Sequence, residues 1–291
     1  MEVFTGKEHE GASAFVSLLV YTFSFFVLIT IFSVVVYALF IPAGVTSASS
    51  LTVTQLFLVQ VSTFLATGVT TLLVLRYLDH RPFSDLGFSL KGRGKDIVYG
   101  ALAAVVLYGV GFGVSVACGF VEVTGVQFNG EWLTGSFFFF LLVSVTEELM
   151  FRGYILGRLL RTRMNKYLAL LLSSFLFACL HLMNPNIALL PMLNLLLAGV
   201  LLGSTYLYTR NLWFPISLHL FWNWLQGPVL GYEVSGNKLG EPLLKLHLSD
   251  NTLMNGGAFG FEGSLLCTML MIILIASIIY RTHRASNARE V

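Results

Sequence analysis

Residues 136–160 read SFFFFLLVSVTEELMFRGYILGRLL, an apolar run interrupted by Glu147, Glu148 and Arg152. The run is long enough to cross a bilayer, which takes about 20 consecutive apolar residues as helix. A charge inside such a segment costs about 2.5–3.5 kcal/mol even on lenient insertion scales, so charged residues there face a bundle interior or a wet cavity. This one stretch therefore predicts both a helical membrane protein and a polar site within it.

Composition agrees. Of the 291 residues, 56% are hydrophobic and only 11% are charged, against about a quarter charged in ordinary soluble domains. The net charge of +2 gives no reason to expect a nucleic-acid partner. Cys118, Cys179 and Cys267 lie in apolar stretches without CxxC spacing, so neither a disulfide framework nor a zinc knuckle is indicated. The first apolar segment is too long for a cleaved signal and reads as a retained span.

Eight apolar runs can be placed, at about 13–41, 54–77, 97–121, 134–160, 166–182, 187–209, 212–230 and 262–281. The expectation is an all-α polytopic bundle of about eight transmembrane helices, forming a single membrane domain over 1–291 with its motif core at about 134–230. With the N-terminus inside, 15 of the 17 Lys and Arg residues fall in cytoplasmic segments, and only Lys238 and Lys245 fall outside. The positive-inside rule then puts both termini in the cytoplasm, the cell membrane around the bundle, and the glycine-rich loop 231–260 on the outer face. That loop reads as an ordered turn that uses glycine at φ > 0, in preference to a re-entrant lid.

Three pairs of residues carry chemistry. Glu148 and Arg152, at i and i+4, can form an ion pair on one helical face. Glu147 points about 100° away, free to face a cavity, where desolvation raises a carboxyl pKa toward that of a general base. His219 and Asn223, also i and i+4, present two hydrogen-bond donors from one face, an arrangement suited to an oxyanion. His181 ends a short apolar helix. Glu147 lies about 14 residues, or roughly 21 Å, above the cytoplasmic end of its span, and His181 about 15 residues up its own. The four can meet at one level. The plainer alternatives are charges at a frayed helix end for Glu147 and Glu148, and interhelical hydrogen bonds worth about 1 kcal/mol for His219 and Asn223.

Taken in order, Glu147-Glu148-x-x-x-Arg152, Phe177-x-x-x-His181 and His219-x-x-x-Asn223 resemble the motif set of the CPBP family of CAAX prenyl proteases and bacteriocin-processing or immunity proteins. The resemblance covers roughly residues 140 to 225. It implies an eight-span intramembrane glutamic endopeptidase acting on membrane-associated or lipidated peptides, without a cofactor. Glu147 and His181 would activate water, His219 and Asn223 would stabilise the tetrahedral intermediate, and Glu148 with Arg152 would hold the site in shape. Three alternatives stay open. One is a zinc-dependent protease with Glu147, His181 and His219 as ligands, although no HExxH is present. Another is a catalytically silent immunity or scaffold protein that binds a peptide or toxin. The third is a transporter, against which stands the lack of an inverted repeat.

Overall fold

In a computed structural model, residues 10–42 and 51–287 are described. Both termini, expected in the cytoplasm, lie outside these residues. The principal helices are α1 (Glu10–Phe40), α2 (Val53–Tyr77), α3 (Gly94–Ala117), α4 (Gly130–Leu159), α5 (Lys166–Leu180), α6 (Leu189–Thr209), α7 (Trp213–Trp224) and α8 (Leu265–Asn287). Each begins or ends close to its predicted place. Local chemistry fixes several starts: Thr52 and Gln55 form a capping box at α2, Asn129 Oδ1 accepts from the Trp132 amide at α4, and Asn165 caps α5. Such caps satisfy amides that the first helical turn leaves unpaired.

The protein is an α-helical membrane protein, but the count of eight crossings is not met uniformly. Among the described residues, α1 to α4 and α6 are long and apolar enough to cross a membrane, whereas Lys166–Leu180 and Leu265–Arg281 are shorter apolar helices. Helix α7 has only 12 residues before it widens into a π-turn, Leu225–Val229, which contains Pro228. The all-α expectation holds, with one small two-stranded ribbon added to it. After α3, β1 (Val121–Val126) pairs antiparallel with β2 (Leu244–Leu248), with Val121 opposite Leu248 and Val126 opposite Leu244. A bulge between Val123 and Gly125 interrupts the register. Valines on one strand and leucines on the other make this ribbon; it was missed because the two segments lie more than 100 residues apart.

Outward faces are apolar: Phe23 on α1, Val106 on α3 and Phe175 on α5 are each more than half exposed, as lipid contact requires. Inside, one apolar cluster joins α1, α2, α4, α5 and α6, and a second joins α3, α6, α7 and α8. Close approaches at glycine bring helices together. A Cβ on Gly199 of α6 would lie 2.7 Å from Cβ of Ser174 on α5, and one on Gly100 of α3 would lie 2.6 Å from the Phe214 carbonyl of α7. Small residues at such crossings are the usual device of membrane bundles.

Helix α4 is not uniform. Between Leu149 and Leu156 it is a π-helix, and every residue of that stretch is buried. π-segments are uncommon and occur frequently at functional sites. A second buried polar group gathers at the lower end of α4. Asp79, after α2, accepts from Ser17 of α1 at 2.6 Å and from Tyr154 at 2.9 Å, and pairs with Arg158 at 3.1 Å. The charge count places Arg158 in a cytoplasmic segment, and the fold buries its side chain. Asp79 and Arg158 are 1% and 7% exposed and tie α1, α2 and α4 together.

Candidate active site

Glu148 and Arg152 flank the junction where α4 becomes π-helix, and both side chains are out of contact with solvent. Arg152 Nη1 donates to Glu148 Oε1 at 2.8 Å, and Nη2 donates to the Gly199 carbonyl at 3.1 Å. The guanidinium carbon lies 4.6 Å from the centroid of Phe177, within the range of a cation–π contact. Phe177 thus acts as a platform for the buried cation. Glycine at 199 lets α6 come close enough to α5 and α4 for its carbonyl to be used.

His219 of α7 approaches from the other side. Its Nδ1 lies 2.8 Å from the same Glu148 oxygen, and its Nε2 lies 3.9 Å from Glu147 Oε2. A carboxylate held by arginine can only accept, so Nδ1 carries the proton. Arg152, Glu148 and His219 form a continuous buried chain of three side chains from two helices. The bond from Glu148 to His219 was not evident in the sequence, where Glu148 had a ready partner in Arg152.

Glu147, on the adjacent face of α4, points elsewhere. Its side chain is 28% exposed, yet Oε2 is buried and makes no hydrogen bond among the described residues. His181 caps the C-terminus of α5, and its Nδ1 lies 2.8 Å from the Phe177 carbonyl. Because a carbonyl only accepts, the proton sits on Nδ1 and the neutral ring keeps its lone pair on Nε2.

Glu147, His181, His219 and Asn223 all line one cavity of about 490 Å³, whereas Glu148 and Arg152 stay behind its wall. Phe25, Leu56, Phe139, Phe140 and Val143, from α1, α2 and α4, make an apolar flank of the same space. Among the described residues, no three His, Cys, Asp or Glu side chains form a group able to hold a metal ion.

The loop between α7 and α8 supplies wall residues that sequence reading passed over. Ser235, Asn237 and Glu262 line the cavity beside Asn184 of the turn after α5. Asn184 Nδ2 donates to the Ser235 carbonyl at 3.1 Å, and Asn186 Nδ2 donates to that of Ala258 at 3.1 Å. Left-handed glycines shape the loop. A Cβ on Gly236 (φ 79°) would meet the Pro185 carbonyl at 1.9 Å, and one on Gly260 (φ 97°) the Glu233 carbonyl at the same distance. The ordered turn expected from glycine is present, and it also closes one end of the site. The signal that could have found Glu262 was its place as the one ionisable residue in the run NGGAFGFEG, residues 255–263.

A membrane-embedded helical bundle around a carboxylate–histidine cavity is the class that fold and site define. Residues 129–225, about a third of the chain, match the family model Rce1-like, described as type II CAAX prenyl endopeptidase Rce1-like. The matched segment, which runs from the cap of α4 to the end of α7, is similar to that CAAX protease family and agrees with the resemblance carried by the motifs. No curated protein and no solved structure matches the chain.

Proposed function

We propose that the chain is a single-domain intramembrane endopeptidase of the cell membrane that cuts membrane-associated or lipidated peptides with a water activated by Glu147 and His181. The supporting observation is that Glu147, His181, His219 and Asn223 share one cavity while Glu148 and Arg152 brace it from behind. The buried Oε2 of Glu147 has no hydrogen-bond partner among the described residues and is an acceptor for one water proton. The free lone pair on Nε2 of His181 is an acceptor for the other. Between them a water loses a proton to Glu147 as its oxygen attacks the peptide carbonyl.

Attack places negative charge on the carbonyl oxygen. Asn223 Nδ2 and His219 Nε2 are the donors assigned to it, and donors fixed before reaction stabilise such charge most effectively. Because Nδ1 of His219 already spends its proton on Glu148, donation from Nε2 requires the imidazolium form, for which Glu148 and Glu147 supply the counter-charge. The proton held by Glu147 then passes to the leaving amine. The apolar flank from α1, α2 and α4 suits a lipid chain or apolar side chains. The mechanism as drawn uses no metal, and the charge pattern of the sequence puts both termini in the cytoplasm.

The test compares membrane peptides from cells carrying the intact chain, Glu147→Gln or His181→Ala, at matched expression. The proposal expects substrate fragments only with the intact chain. Full biological activity in the Glu147→Gln chain would favour a silent immunity or scaffold protein that binds its peptide without cutting it.

A further inference from the structure

Glu262 is a third carboxylate close to the reacting groups, and the mechanism makes no use of it. It sits in the single turn Phe261–Gly263, is 7% exposed and faces the same cavity as Glu147. Three donors fix its position. The amide and hydroxyl of Ser235 both donate to Oε1, the hydroxyl at 2.7 Å, and the indole of Trp222 donates to Oε2 at 3.2 Å. Its own backbone carbonyl is held by Asn194 Nδ2 at 2.8 Å. The carboxylate is therefore held from α7 and the covering loop, and the backbone beneath it from α6.

All three donors are neutral. Among the described residues, no Lys, Arg or His is paired with Glu262. The described cavity wall holds two carboxylates, Glu147 and Glu262, and neither a lysine nor an arginine. Contrast Glu148 and Asp79, whose carboxylates are also deeply buried and each of which has an arginine within 3.1 Å. A buried charge without a counter-charge costs several kcal/mol, and neutral hydrogen bonds offset only part of that. A clamp between loop and helix needs acceptors, but it does not need an uncompensated charge facing open space.

We infer that Glu262 is the counter-charge for a cationic side chain of the substrate, so that the site selects peptides with a lysine or arginine at one fixed place relative to the bond cut. This rests on the endopeptidase reading for its meaning, but it can be tested by binding alone. Trp222 is next to Asn223 in α7 and reaches Glu262 through its indole, so the cationic position and the oxyanion donors are carried on adjacent residues.

The probe is a neutral eight-residue peptide with one S-farnesyl cysteine, in which a single lysine is moved position by position, matched against a series with norleucine. Binding is measured by fluorescence anisotropy to the full chain carrying Glu147→Gln, in lipid nanodiscs. At one position lysine is expected to bind about tenfold tighter than norleucine. Adding Glu262→Gln should bring that ratio to about one while leaving the norleucine peptide unchanged, which also shows that the site is still folded. Should the Gln chain fail to fold, Glu262→Asp, which withdraws the charge by one carbon, should lower the ratio. No lysine preference at any position, or a preference that survives both substitutions, overturns the inference. Cleavage of the same peptides by the chain with Glu147 intact reports separately. Lysine preference without cleavage would sink the endopeptidase proposal and leave the recognition role of Glu262 standing.

Discussion

Nδ1 of His219 lies 2.8 Å from Oε1 of Glu148, and the contact joins α7 to α4 across 71 positions of sequence. It sets the tautomer of the ring and leaves Nε2 as the only nitrogen facing Glu147 and the cavity. Glu148 is thus shared between a permanent cation, Arg152, and a titratable ring.

The first prediction follows from that sharing. Glu147 must be ionised to accept a proton, so activity should be lost in acid. His219 must be an imidazolium to donate from Nε2, so activity should also be lost in alkali. The groups facing His219 are Glu147 and Glu148, with Arg152 behind Glu148. A kcat/KM profile should be bell-shaped. In His219→Gln the alkaline limb should vanish, since a carboxamide donates at every pH. An alkaline limb unchanged in that variant would remove His219 from the oxyanion role.

Arg152→Ala leaves Glu148 buried without its cation, a change that costs about 3–5 kcal/mol. Thermal unfolding in detergent should show a large loss of stability and folded yield. Arg152→Lys should recover little of it. An ammonium cannot serve Glu148 and the Gly199 carbonyl through a planar fork while lying over Phe177. Near-native stability in the lysine variant would contradict the geometry.

Asn223 is assigned only to the transition state, so Asn223→Ala should lower kcat by about 10²–10³ with little change in KM. The zinc alternative makes the opposite forecast: His219 as ligand, Asn223 nearly silent, and activity lost to phenanthroline and regained with zinc. Elemental analysis of the purified, active chain decides between them. Zinc near one per chain that leaves together with activity would displace the mechanism proposed here.

Orientation is testable at two exposed residues, Lys91 between α2 and α3 and Lys238 in the loop after α7. With single cysteines at these positions in a cysteine-free chain, an impermeant maleimide applied to intact cells should label position 238 and spare 91. Labelling of 91 alone would invert the bundle.

What could be read in advance divides along physical lines. The positions of the helices were legible because each is an apolar run bounded by polar residues, and Glu147, Glu148 and Arg152 stood out because charge is costly there. The i, i+4 spacing of Glu148 and Arg152 anticipated a pair found at 2.8 Å. Contacts between distant segments left no periodic signal: Glu148 with His219, Asp79 with Arg158, and β1 with β2 all join residues far apart in the chain. Glu262 was hidden differently. It lies in a loop whose glycines drew attention to backbone shape, and only the folded loop brings its carboxylate to Trp222 and the cavity. Arg158 read only as one more basic residue near a span end, and its pairing with Asp79 left no mark in the sequence.

The π-helix of α4 has a consequence for how this chain tolerates length changes. A π-turn takes up one more residue than an α-turn, so 149–156 is the place where α4 holds a surplus. Removing one residue there should let the helix relax to ordinary winding, but everything beyond the cut would swing around the axis. Tyr154 and Arg158 would then turn away from Asp79 while Glu147 and Glu148 kept their places. The surplus residue works as a phase adjuster: it lets one rigid rod aim the site's carboxylates at α7 and its lower polar cluster at α1 and α2. Alignments that close this stretch with a gap would therefore describe a protein whose two buried clusters cannot both form.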